Sequence, residues 1–159
     1  MHKNTFSKDI AIFLFLLEKY KVKYLIVGGR AVIYYNFARL TGDIDFFYEI
    51  SRKNIKKLYS ALKEFWGGEV LGLKDESELG IEGQIIQYGV PPNRIDLIGS
   101  ISGVDFKSCW RNKKEEEIAI KGKKVKIYYI GLEDLIKNKE KMSRNKDKED
   151  LKYLYKKKI

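Results

Sequence analysis

Three aspartates stand where apolar strands are expected. Asp43 and Asp45 interrupt Asp43-Ile44-Asp45-Phe46-Phe47, and Asp96 interrupts Arg94-Ile95-Asp96-Leu97-Ile98. Strand residues two apart share a face, so the Asp43 and Asp45 carboxylates point the same way, about 7 Å apart at Cα. Like charges so placed repel unless a cation lies between them. The plain alternative is a solvated edge strand, but Ile44, Phe46 and Phe47 imply cover on both faces, where an aspartate needs a partner. Ile95 and Leu97 share one face, which leaves Asp96 on the other; an edge strand facing water is again the plain alternative. If this strand pairs beside the first, three carboxylates converge. Such a cluster can hold two metal ions for in-line displacement at phosphorus, one ion activating the attacking oxygen and the other steadying a triphosphate. Cys109 is the single cysteine and His2 the single histidine, so a metal here takes oxygen ligands, which suits Mg²⁺ or Mn²⁺.

The elements that must position these groups are legible around them. Tyr24-Leu25-Ile26-Val27 reads as a buried strand that stops at Gly28-Gly29. A helix over Arg30 to Arg39 follows, with Ala31, Tyr34, Tyr35 and Ala38 at helical spacing, and Leu40-Thr41-Gly42 breaks it before the Asp43 strand. The glycines put backbone N–H groups at a helix N-terminus with no side chain in the way, where phosphate binds well. Ser7 caps a helix to about Tyr20 with Ile10, Phe13, Leu14 and Leu17 on one stripe, and Ser51 opens another with Ile55, Leu58, Leu62 and Phe65. Residues 67–83 read as a loop with one turn of helix. Strands are expected at Gln84–Tyr88 and Arg94–Ile98, a helical piece between Gly103 and Trp110, and a hairpin of Glu117–Lys121 and Lys124–Ile130 turned at Gly122-Lys123.

Two helices close the chain, over Leu132–Met142 and roughly Lys146–Lys157. Each carries charge on its inward stripe. Lys139 falls on the stripe of Leu132, Leu135 and Ile136, and Asp147 shares a face with Asp150, Leu151 and Leu154. Lys139 either snorkels past the core or meets an anionic phosphate; the phosphate role is the stronger expectation. For Asp147, an ion pair with Lys139 or Arg144 either orders a site or ties the two helices, and the tie is the stronger expectation.

The 159 residues predict a single domain, with a core over 22–130 and a basic helical tail over 131–159. The longest apolar run, Ile10 to Leu17, is far short of a membrane span, and no cleavage site follows it; a soluble, cytoplasmic protein with no membrane partner is expected. Net charge is +10, and it is uneven: residues 1–106 hold 14 Lys/Arg against 13 Asp/Glu, residues 107–159 hold 18 against 9. The excess of the last third is either a solvated lysine-rich surface or a face for a polyanion such as RNA.

Three stretches in this order, GGRAVIYY…ARLTGDIDFFYE, RIDLIGSISGVDFKSCW and GLEDLIKNKEKMSRNKDKEDLKYL, resemble the nucleotidyltransferase superfamily of DNA polymerase β. Within it they are most similar to the small abortive-infection (AbiEii-like) and related uncharacterised bacterial and archaeal enzymes. The resemblance spans about Tyr24 to Leu154. It implies an α/β (α+β) fold, a mixed sheet flanked by helices with a helical C-terminal tail. It also implies transfer of a nucleoside monophosphate from an NTP to an acceptor hydroxyl, with Mg²⁺ or Mn²⁺ and release of pyrophosphate. Gly28 and Gly29 correspond to the nucleotide-phosphate turn, and Asp43, Asp45 and Asp96 to the metal-binding catalytic carboxylates, Asp96 assisting deprotonation of the acceptor. Arg39 and Thr41 match residues preceding the first aspartate; Lys139, Arg144, Lys146 and Asp147 match the tail motif. The superfamily often has Gly-Ser in the turn, so one triphosphate contact is lost here and backbone donors remain. The implied acceptors are tRNA or other RNA, a protein or a small molecule, and the implied protein partner is an antitoxin. The rival class is a non-catalytic nucleic-acid-binding or toxin–antitoxin module on the same fold. A dinucleotide-binding oxidoreductase is disfavoured, because Gly28-Gly29-Arg30-Ala31 lacks the spaced third glycine.

Overall fold

The structure is a computed structural model that describes residues 6–35 and 41–158. Thirteen elements follow one another: α1 (Lys8–Lys19), β1 (Tyr24–Val27), α2 (Gly28–Tyr34), β2 (Asp43–Tyr48), α3 (Arg52–Phe65), a 3₁₀ turn (Glu76–Gly80), β3 (Ile85–Tyr88), β4 (Arg94–Ile98), α4 (Phe106–Arg111), β5 (Lys114–Ile120), β6 (Lys123–Tyr129), α5 (Leu132–Met142) and α6 (Asn145–Lys158). The six strands form one mixed sheet in the order β3-β4-β2-β1-β6-β5. β2 runs parallel to β4 and antiparallel to β1, so the two aspartate-bearing strands are neighbours in the middle of the sheet. This is the mixed sheet flanked by helices that the resemblance implies.

Alternation along the strands sorts the sheet into two faces. Ile44, Phe46, Ile95 and Leu97 are buried, and Phe46 meets Phe13 of α1 edge-on at 5.3 Å. Phe13 in turn meets Phe65 of α3 at 5.2 Å, so the apolar stripes of α1 and α3 close over this face. Ring pairs of this geometry add about 0.5–1.5 kcal/mol each beyond the area they bury. Both helices begin as the sequence predicts, Ser7 accepting from the Ile10 N–H and Ser51 from the Asn54 N–H. Asn54 does more than continue its helix. Its carboxamide accepts from the Lys23 N–H at 2.7 Å and donates to the carbonyls of Lys23 and Glu49, fixing α3 to the ends of β1 and β2.

The opposite face carries Asp43, Asp45 and Phe47 of β2 with Arg94, Asp96 and Ile98 of β4. Phe47 packs edge-on against Phe106 of α4 at 5.1 Å, and α5 with Arg144, the residue before α6, lines a cavity beside Asp45.

Three boundaries differ from the sequence reading. α2 starts at the glycines as expected but ends at Tyr34, and residues 36–40, over which it was expected to continue, lie outside the described residues. The hairpin strands start three and one residues earlier than expected, and the turn is Lys121-Gly122, both with positive φ (53° and 74°). Two left-handed residues match the twist of the flanking strands. β5 is an edge strand whose first four residues, Lys114 to Glu117, are all charged, so no hydrophobic alternation marked its start. Among the described residues, no helix is long and apolar enough to cross a membrane.

Candidate active site

Strand register builds the site. Because β2 and β4 are parallel, Asp45 pairs with Asp96 and Asp43 with Arg94, all four side chains rising from the same face. Gln87 on β3 stands beyond Asp96. The result is a cluster in which one carboxylate oxygen from each of Asp43, Asp45 and Asp96 lies within 4.8 Å of the others. The convergence expected if these strands were neighbours is therefore present.

The three acids are held differently. Asp43 accepts from the Thr41 hydroxyl at 3.1 Å and from Arg94 Nη2 at 2.7 Å. Asp96 is buried and accepts from Arg94 Nε at 2.9 Å, Arg94 Nη2 at 3.1 Å and the Gln87 amide at 3.3 Å. Asp45 stands between them without such help: its buried Oδ1 finds no hydrogen-bond partner among the described residues. Burial, then the neighbouring charges of Asp43 and Asp96, push its carboxyl up from 3.8 to about 7. A buried, unpartnered carboxylate oxygen facing two other carboxylates is the situation that a bound cation relieves.

Gly28 makes room for this arrangement. Its φ of +66° is a left-handed conformation that glycine adopts freely, and a Cβ there would lie 2.2 Å from Asp45 Oδ2. The glycine pair thus serves the carboxylates as well as the backbone of the turn. Gly29 is buried in the first turn of α2, whose N-cap, Val27, supplies no side-chain hydrogen bond to the helix amides.

Beside Asp45 and Gly28 opens a cavity of about 220 Å³, lined also by Ile85, Ile98, Ile101, Asn138, Met142 and Arg144. Arg144 reaches it from the start of α6, where its guanidinium is held by Asp147 at 2.7 Å; nearby Asp45 adds to the negative field around it. Lys139 also lines the cavity, but its ammonium is 2% exposed and is gripped by Asp147 at 3.1 Å and Asp150 at 3.0 Å. Asp147 therefore makes the helix tie expected of it, and the Lys139 charge is spent between α5 and α6. Burial raises the Asp147 carboxyl, but the hydrogen bonds from Arg144 and Lys139 outweigh it and hold the group at about 2. Lys146 is exposed on α6, and Arg39 lies outside the described residues.

Sequence reasoning left out Arg94, Gln87 and the Asp150 half of the lysine's ion pair. The signal for Arg94 was its spacing: two residues before Asp96 on a strand, it had to share that carboxylate's face. Oxygen-only donors, a convergent triad and one unsatisfied buried oxygen fit Mg²⁺ or Mn²⁺. No curated protein matches the chain. The family model described as "Nucleotidyltransferase of unknown function (DUF6036)" matches residues 8–155, nearly the whole chain, and the protein belongs to that family.

Proposed function

We propose that this nucleotidyltransferase moves a nucleoside monophosphate from an NTP to an acceptor hydroxyl at the Asp43–Asp45–Asp96 cluster, with Mg²⁺ or Mn²⁺ as cofactor. The observation that carries the reading is the convergence of three carboxylates around a buried oxygen of Asp45 that has no hydrogen-bond partner among the described residues. In the reaction the acceptor oxygen bonds to the α-phosphorus, the bond to the β-phosphate oxygen breaks, and pyrophosphate leaves. Asp43, Asp45 and Asp96 would hold the ions, which lower the barrier by making the attacking oxygen more acidic and by neutralising triphosphate charge. Thr41 fixes the Asp43 carboxylate. Asp96 assists removal of the acceptor proton. The amides of the Gly28-Gly29 turn, together with Arg39, Arg144 and Lys146, are assigned to the phosphates. Lys139 and Asp147 contribute by holding Arg144 at the cavity.

The basic last third supports RNA as the acceptor, since α6 exposes Lys146, Lys148, Lys152, Lys156 and Lys157 along its length. An AbiEii-like role, with a tRNA target and an antitoxin partner in the cytoplasm, is the narrower form of this reading.

The test incubates the protein with each NTP labelled at the α-phosphate, Mg²⁺ or Mn²⁺, and total RNA or cell extract. Label should pass to one class of acceptor with wild type and not with Asp43→Asn or Asp96→Asn. Equal labelling by both variants and wild type, or no metal-dependent NTP binding, overturns the reading.

A further inference from the structure

The Arg94 guanidinium lies among the carboxylates that the ions are proposed to occupy. It donates from Nε to Asp96 Oδ1 at 2.9 Å, and from Nη2 to both Asp96 Oδ2 at 3.1 Å and Asp43 Oδ2 at 2.7 Å. Asp43 Oδ1 is taken by Thr41. Four of the six triad oxygens are thus engaged by protein donors, and three of those four by one arginine. The planar fork of a guanidinium can span two carboxylates in this way; an ammonium cannot do so with the same directionality.

We propose, resting on the nucleotidyltransferase reading above, that Arg94 is a built-in counter-cation that a divalent ion must displace, so that ion loading depends on the nucleotide. An ion shared by the triad needs oxygens that Arg94 now holds, and two cations cannot lie side by side there without repulsion. Free metal therefore competes with an ion pair that is already made. A triphosphate changes the balance twice, by supplying oxygen ligands to the ion and by offering the displaced guanidinium a new anion. Solvent borders the guanidinium where it would be displaced, since the Arg94 side chain is 30% exposed at the first residue of β4. The linkage is reciprocal: whatever factor nucleotide adds to metal affinity, metal adds to nucleotide affinity.

The experiment titrates Mn²⁺ into nucleotide-free wild type, Arg94→Met, Arg94→Lys and Asp43→Asn, then repeats it with the α,β-methylene analogue of each of the four NTPs. Bound Mn²⁺ is read by its electron paramagnetic resonance signal. Wild type should bind Mn²⁺ weakly alone and much more tightly with one or more analogues. Arg94→Met should bind Mn²⁺ alone at least about tenfold more tightly than wild type, the lower bound set by removing a unit positive charge from about 5 Å of a divalent ion at the dielectric of water. It should also gain less from nucleotide. Arg94→Lys should fall between the two, and it decides the matter if Arg94→Met does not fold. Mn²⁺ affinity unchanged or weakened in the arginine variants, with binding still dependent on Asp43, overturns the displacement and leaves the triad as the metal site. Mn²⁺ binding that Asp43→Asn does not reduce, or none in wild type with any analogue, overturns this inference and the parent reading together.

Discussion

Asp45→Asn removes the carboxylate of the cluster that forms no ion pair among the described residues. The carboxyl is pushed from 3.8 to about 7 by burial and by Asp43 and Asp96. In the metal-free protein the folded state therefore holds a proton that the unfolded chain has already lost between those values. Stability falls as pH rises across that window, because the native state binds more protons than the unfolded one. A rise of this size corresponds to about 4 kcal/mol of penalty once Asp45 is ionised, at about 1.36 kcal/mol for each tenfold change in proton affinity. Asparagine has the same shape, no charge and two N–H donors for neighbouring carboxylates. Denaturant unfolding with chelator present should show Asp45→Asn more stable than wild type by about 2–4 kcal/mol at pH 8. At pH 4.5 the difference should be within about 1 kcal/mol, since wild-type Asp45 is protonated there. Mn²⁺ added together with an α,β-methylene NTP analogue should raise the midpoint of wild type at pH 8 by more than that of the variant. An equal difference at both pH values, or a variant less stable at pH 8, would refute the idea that uncompensated charge sits on Asp45.

Two further outcomes test the surroundings of the cluster. Gly28→Ala places a methyl group 2.2 Å from Asp45 Oδ2 on a backbone with φ +66°; it should cost at least about 1–2 kcal/mol from the left-handed conformation alone and abolish Mn²⁺ binding, both read by melts with and without Mn²⁺ and an NTP analogue. Lys139→Met leaves buried Asp147 and Asp150 without their shared ammonium and should destabilise by about 3–5 kcal/mol at pH 7. The Asp147 carboxyl is held at about 2 against 3.8 in the unfolded chain, so its contribution is present above 3.8 and lost as pH falls toward 2. The Lys139→Met deficit should therefore shrink toward pH 2.5.

The carboxylate triad was legible because each aspartate broke an apolar strand, and the period of two set its face without any knowledge of the sheet. Their convergence was conditional on β2 lying beside β4, which only the register supplies. The same register hid Arg94's second contact: its spacing from Asp96 is local, but its bond to Asp43 joins residues far apart in sequence. Helical spacing found Lys139 on an inward stripe. It could not choose between a phosphate and a carboxylate as partner, since both reward a buried ammonium; the carboxylates of Asp147 and Asp150 stand against it in the structure. The start of β5 was illegible for the opposite reason, because a charged edge strand owes its conformation to pairing with β6 and not to burial.

The buried charges of the tail act through the residue they hold in place. A lysine enclosed by two aspartates is not a strong source of net stability, because desolvation offsets most of the Coulombic gain and an apolar set of equal volume can do as well. What the ions supply is direction. Asp147 accepts from Lys139 with Oδ1, from the Arg144 backbone N–H at 3.1 Å and Nε at 2.7 Å with Oδ2, and from Arg144 Nη2 at 3.1 Å with Oδ1. The guanidinium is thereby fixed at the start of α6, just after Ser143 turns the chain with φ +55°. Its own side chain remains 47% exposed, while the carboxylate that grips it is 0% exposed. Arg144 is thus a pre-oriented cation lining the same cavity as Gly28 and Asp45, and little side-chain freedom is left for it to lose when an anion arrives.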